Sequence, residues 1–164
     1  HRDLHLSLRR QRQMCIRDSP MNIAFMEAKK AFNKNEVPVG AVVTDINGDI
    51  LAKAYNLVES KQDPTAHAEI LAIKKATIIL KNKYLIGCSL YVTLEPCPMC
   101  AAAIQYSKIS KLFFGCEDGK NGAINNGVKI FNQKFCNHKP EIYDGIRATE
   151  CSDLLKNFFR LKRK

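Results

Sequence analysis

The stretch Ser89-Leu90-Tyr91-Val92-Thr93-Leu94-Glu95-Pro96-Cys97-Pro98-Met99-Cys100 decides how this chain is read. Its first six residues are apolar, β-branched and aromatic, which is the composition of a strand. Pro96 and Pro98 stop that strand, and Pro98 suits the first position of a helix. Residues 99–107, rich in alanine, continue as the helix. Cys97 and Cys100 then stand three apart on its first turn, with both sulfurs on one face.

The same alternation extends in both directions. Upstream, Asp63-Pro64-Thr65 punctuates the chain, and Thr65 is a candidate N-cap. Residues 66–80 carry Ile70, Leu71, Ile73, Ala76 and Ile79 at helical spacing, with His67-Ala68-Glu69 at the start. Val37-Pro38-Val39-Gly40-Ala41-Val42-Val43 predicts a strand, Asn47-Gly48 a hairpin turn, and residues 50–55 the returning strand. Residues 21–33 place Ile23, Met26, Ala28, Ala31 and Phe32 at helical spacing. Downstream, Leu112, Phe113 and Phe114 mark a strand over 111–115. Residues 116–126 read as a loop, 141–143 as a fifth strand and 148–161 as a closing helix. Strands alternating with helices predict an α/β sheet with helices on both faces.

Length and composition fit one domain. The 164 residues are 46% hydrophobic and 26% charged. No apolar run reaches the ~18 residues that span a bilayer, so no membrane role is expected. The N-terminus lacks the apolar core of a secretory signal, which makes a cytoplasmic protein the expectation. Seven cysteines in a reducing compartment point to metal binding or chemistry before disulfides. The net charge of +10 makes a polyanionic partner the expectation, beside the plainer reading of a solvated basic surface. Residues 1–20 hold five Arg and no Lys, whereas residues 21–164 hold three Arg among many Lys. The shift sets a boundary at Ser19-Pro20. Residues 1–20 read as a non-native or disordered extension, similar to a translated cloning adapter, with a basic RNA-binding arm as the alternative. Residues 21–164 are then the functional domain.

Two motifs carry the chemistry. His67 and the pair Cys97 and Cys100 supply three soft or borderline donors. Three protein ligands with a fourth position open define a catalytic zinc site. Both motifs sit at predicted helix N-termini, whose positive dipole ends favour thiolates and a bound hydroxide. Two thiolates leave that hydroxide in need of a base, and Glu69 is placed to move its proton. Other readings of the pair are a redox Cys-x-x-Cys and a four-ligand structural zinc site. The latter would draw on Cys88, Cys116, Cys136, Cys151 or His138, none of which is paired at ligand spacing.

His-x-Glu followed by Pro-Cys-x-x-Cys resembles the zinc-dependent nucleobase deaminases. The longer segments Glu36-Val37-Pro38-Val39-Gly40-Ala41-Val42, Asp63 to Glu69, Leu90 to Cys97 and Asn157-Phe158-Phe159-Arg160 are similar to the bacterial tRNA-specific adenosine deaminases. The resemblance covers essentially all of residues 21–164. It implies a three-layer α/β/α cytidine-deaminase-like fold with a mixed five-stranded sheet. It also implies one zinc per chain on His67, Cys97 and Cys100, and Glu69 as the catalytic proton shuttle. Asn56, the main chain at Ala68, Asp118, Phe159 and Arg160 match substrate-binding positions. The implied partner is a tRNA anticodon stem-loop, whose wobble adenosine becomes inosine, and the implied assembly is a homodimer. Cys116 and Glu117 depart from the small and basic residues common at their positions.

The residues themselves agree with an RNA substrate. Arg147, Lys156, Arg160, Lys162, Arg163 and Lys164 gather at the C-terminus against Glu150 and Asp153. Such a patch binds phosphate with a salt slope of about 0.7 per contact for single strands. Phe159 beside it is placed to stack on a splayed base, while Phe158 reads as core. The zinc motif alone does not separate this reading from a deaminase of free guanine or cytosine. A catalytically silent, RNA-binding zinc scaffold is a third reading, which Glu69 disfavours.

Overall fold

The sheet grows from the two buried apolar runs. In the computed structural model, which describes residues 20–163, all five residues of β1 (Gly40–Thr44) are buried. This strand pairs antiparallel with both β2 (Ile50–Tyr55) and β3 (Ser89–Leu94). β3, β4 (Lys111–Cys116) and β5 (Glu141–Tyr143) run parallel, so the order β2-β1-β3-β4-β5 makes a mixed five-stranded sheet.

Pleating sends alternate residues to two cores. Ala41, Val43, Leu90, Val92, Leu112 and Phe114 meet the helices α3 (Ala68–Leu80) and α4 (Pro98–Tyr106). Val42, Tyr91 and Phe113 point the other way, toward helix α1 (residues 20–33). On that side the rings of Tyr91, Phe113 and Tyr143 stack at centroid distances of 4.3 and 4.8 Å. Helix α5 (Ala148–Lys162) lies on this second face too, where Phe158 meets Phe32 edge to face at 5.8 Å. Three α/β/α layers result, as expected. α1 crosses β1 so closely that a Cβ on Gly40 would stand 1.9 Å from the Ala24 carbonyl oxygen. The small Ala24, Ala28 and Ala31, all fully buried, permit that approach.

Several expected boundaries move, for identifiable reasons. β1 begins at Gly40 and not at Val37, because Pro38 has no N–H to give the ladder. α1 takes in Pro20, the last residue of the segment read as foreign; residues 1–19 of that segment lie outside the described residues. The 45–49 turn closes through Asp45, whose carboxylate accepts the N–H groups of Asn47 and Asp49 at 2.8 and 3.0 Å. Gly48 alone there takes a positive φ, of 87°. Thr65 is not an N-cap. Its N–H and hydroxyl both bond Asp63, at 2.9 and 2.7 Å, and the helix starts two residues later with His67 in the cap position. Two elements went unforeseen: the one-turn helix α2 (Val58–Lys61) and a 3-10 turn over Ile130–Asn132.

Candidate active site

Two helices end their chain entry at the same place. α3 and α4 both begin at one end of the sheet, and their N-cap residues are His67 and Cys97. Neither side chain caps its helix. N-caps are ordinarily Ser, Thr, Asp or Asn, worth ~0.5–2 kcal/mol over Ala, because they satisfy a free N–H. Here the cap positions face each other. His67 Nδ1 lies 3.7 Å from Cys97 Sγ and 3.5 Å from Cys100 Sγ. The three donor atoms fall within 4.8 Å of one another, and among the described residues no fourth His, Cys, Asp or Glu joins them. None of Cys88, Cys116, Cys136, Cys151 and His138 supplies the fourth ligand that the structural reading needs.

The donor set fits zinc. Tetrahedral bonds of about 2.3 Å to sulfur and about 2.05 Å to nitrogen put ligand atoms about 3.6 Å apart, which brackets the two distances here. One of the two thiols, Cys97, is held as a thiolate. Hydrogen bonding from Cys100 pulls the Cys97 thiol down to about 4, against the opposing effect of burial, and His67 adds to the pull. Cys100 is pushed upward by that same thiolate and by burial. His67 is raised by its bond to Cys97. Glu69, 4% exposed and in the first turn of α3, is driven up to about 7 by burial, against the pull of its own main-chain N–H and of His67. A carboxyl beside the ligands that takes and gives a proton near neutrality is what acid–base work requires.

The group opens into a cleft of about 1590 Å³. Of the expected substrate-binding residues, Asn56, Asp118, Phe159 and Arg160 all line it. Asn56, 7% exposed, follows β2 and is held through its N–H to the Val39 carbonyl at 3.1 Å. Phe159 is 45% exposed, whereas its neighbour Phe158 is buried. Arg160 bonds Asn157 at 3.0 Å on the α5 wall, with Lys156 and Arg163 lining the cleft nearby. Asp118 Oδ1 accepts the N–H groups of Lys120 and Asn121, both at 3.0 Å, and so shapes its own turn. Ala68 does not line the cleft. Its side chain is fully buried, and as the first residue of α3 it has an N–H with no acceptor within the helix.

Sequence reasoning missed two residues of the cleft. Glu36, 1% exposed, accepts the N–H groups of Glu59 and Ser60 at 3.1 and 2.6 Å and the Ser60 hydroxyl at 2.8 Å. It holds α2 against the domain. Glu95, 2% exposed, does the same for the loop after β4. The available signal was a lone acidic residue beside an otherwise apolar strand, at Glu36-Val37 and Leu94-Glu95.

An open three-ligand centre with a buried carboxyl beside it, set in a three-layer α/β/α domain, defines the class of zinc-dependent nucleobase deaminases. The family model for the cytidine and deoxycytidylate deaminase zinc-binding region matches residues 15–116. The chain is 49% identical over 141 residues to the tRNA-specific adenosine deaminase of Rickettsia bellii (strain RML369-C), covering 85% of this chain and 97% of that one. Against the tRNA-specific adenosine deaminase of Bacillus subtilis (strain 168), identity is 46% over 144 residues, covering 88% and 89%. A structure solved in a study of A-to-I editing by tRNA:A34 deaminases at the wobble position of transfer RNA superposes with a TM-score of 0.81. It shares 43% identity and covers 83% of this chain and 98% of that one. The chain belongs to the cytidine and deoxycytidylate deaminase family and, within it, to the tRNA-specific adenosine deaminases.

Proposed function

We propose that this chain hydrolyses adenosine to inosine and ammonia at the wobble position of a tRNA anticodon loop. The observation that carries the reading is the shared cleft. The open side of the His67, Cys97 and Cys100 group, with Glu69, meets the basic and aromatic end of α5 through Lys156, Phe159, Arg160 and Arg163. A free base needs no such wall. A base within a loop brings phosphates that the cations hold and a face on which Phe159 stacks.

One zinc per chain, when bound, polarises water into a nucleophile near neutral pH. The protein does the rest. His67, Cys97 and Cys100 hold the metal at the cleft floor. Glu69 moves the protons: its carboxylate takes one from the attacking water and passes it to the ring nitrogen of the target base, then takes the second from the added hydroxyl and passes it to the amino group, which leaves as ammonia as the carbonyl forms. Asn56, the main chain at Ala68 and Asp118 orient the nucleotide, and Phe159 and Arg160 hold its neighbours. The target must leave its stack at a cost of a few kcal/mol, which is lowest for a loop base.

The working unit is a homodimer in the cytoplasm. Ile78 and Ile79 on α3 and Tyr106 on α4, all exposed, are apolar surface of the kind a subunit contact covers. Among the described residues no helix is long and apolar enough to cross a membrane. Residues 1–20 are dispensable, and a chain starting at Met21 keeps its turnover. The direct test is ammonia release from purified, zinc-quantified protein given an anticodon stem-loop, free guanine or free cytosine. Release with the stem-loop alone is the expected result. Release with a free base alone would replace the proposal by a free-base deaminase.

A further inference from the structure

Both oxygens of Glu95 are occupied by one segment of chain. Oε1 accepts the Asp118 N–H at 3.2 Å and the Asn126 side-chain amide at 2.7 Å. Oε2 accepts the N–H groups of Ile124, Asn125 and Asn126 at 3.0, 3.1 and 3.1 Å. Among the described residues no lysine or arginine pairs with it. The buried charge is therefore stabilised by charge-assisted bonds from main chain and amide.

Those donors all lie within residues 118–126, and residues 118–122 of that segment line the cleft. The fit is close. A Cβ on Gly122 would stand 2.4 Å from Glu95 Oε2 and 2.5 Å from the Asp118 carbonyl oxygen. The outer end is tied as well, where the Asn125 side-chain amide bridges Glu117 at 3.2 Å and Asp144 at 2.8 Å. The segment brings Lys120 and Asn121 to the lining of the cleft, which Lys156 and Arg160 of α5 and the following Arg163 also line. Glu95 itself has no oxygen left for a proton transfer and is not in the metal-type cluster.

We infer that Glu95 is a positioning residue for RNA recognition, holding residues 118–126 in the shape the bound anticodon loop requires. This rests on the tRNA reading above. A wall that is already ordered costs little entropy when the RNA docks; a loosened wall must be ordered at that moment. Losing the anchor therefore weakens capture of the substrate and leaves the step at Glu69 unchanged.

The test is Glu95→Gln in the full zinc-loaded chain, followed by two readouts. A glutamine keeps the size but turns an amide NH2 against N–H donors. Amide exchange at residues 118, 124, 125 and 126 is expected to accelerate about tenfold or more, the factor of one hydrogen bond to a charged acceptor, while Leu90 and Phe114 in the sheet stay protected. KM for the stem-loop rises about tenfold, with kcat within about threefold. Unchanged exchange at those four amides would overturn the inference, as would a fall in kcat matching the rise in KM with zinc retained. Gly122→Ala repeats the test away from the metal ligands, should Glu95→Gln not fold or not hold zinc. Gly122 has no positive φ, so the added methyl acts through its contact with Glu95 and the Asp118 carbonyl, and the same split is expected. A wild-type chain that makes no inosine would count against the tRNA reading, while the exchange pattern would still judge the anchor.

Discussion

At the floor of the cleft, His67 and Cys97 occupy the N-cap positions of α3 and α4 and give up capping in order to face each other. At its rim, Glu36 and Glu95 lie buried and accept main-chain N–H groups from α2 and from residues 118–126. On the proposed function, the floor turns its polar groups outward, to a metal and a proton. The rim turns them inward, on its own backbone. A side chain at the floor is thus read by its chemistry, and one at the rim by what it holds still. Damage at the floor should abolish turnover with the cleft intact, whereas damage at the rim should loosen the cleft with turnover intact.

The largest effect is expected from Cys100→Ala. It removes one of the three proposed ligands, so metal content by mass spectrometry and turnover should both fall to background. A chelator acting on the wild type should do the same. Glu69→Gln comes next. Its rate should drop by ~10²–10⁴-fold, with zinc and stem-loop affinity unchanged, because only the proton transfer is lost. A Glu69→Gln enzyme within tenfold of wild type would break the distinction between floor and rim.

Glu36→Gln probes the rim through stability, with an expected loss of ~1–3 kcal/mol in denaturant unfolding near neutral pH. Burial pushes the Glu36 carboxyl up, but the Ser60 hydroxyl and the N–H groups of Ser60 and Glu59 outweigh it and hold it below the ordinary 4.5. Its contribution is therefore complete above the unfolded value and is lost as pH falls through the native one. The gap between wild type and Glu36→Gln should be widest near neutrality and close in acid. A gap that widens in acid would mean the carboxyl is not held as its hydrogen bonds imply. The smallest effect is expected from Arg160→Ala on the α5 wall: stem-loop affinity falls a few-fold and the salt slope drops by about 0.7, with kcat unchanged.

The floor was legible in the sequence and the rim was not, for a physical reason. Ligand chemistry is written in side chains. His67, Cys97 and Cys100 are rare types at fixed spacing, each following the punctuation of Pro64 or Pro96 and starting a periodic segment. The sheet was legible likewise, since the runs at 39–43, 90–94 and 112–114 are too apolar to lie anywhere but inside. The donors that Glu36 and Glu95 bind are mostly backbone N–H groups, which every residue but proline carries and no sequence distinguishes. Thr65 shows the converse error. A cap residue stood at a credible place, but Asp63 two residues earlier engaged both its N–H and its hydroxyl, and the helix started two residues late. α2 escaped notice because four residues are too few to show a period.

The central claim is tested most directly by mapping inosine. Zinc-quantified protein is incubated with an anticodon stem-loop carrying adenosine at the wobble position, and with the same loop carrying it one place away. Inosine at the wobble position alone is the predicted result. No inosine in either loop, from folded protein holding about one zinc per chain, would contradict it.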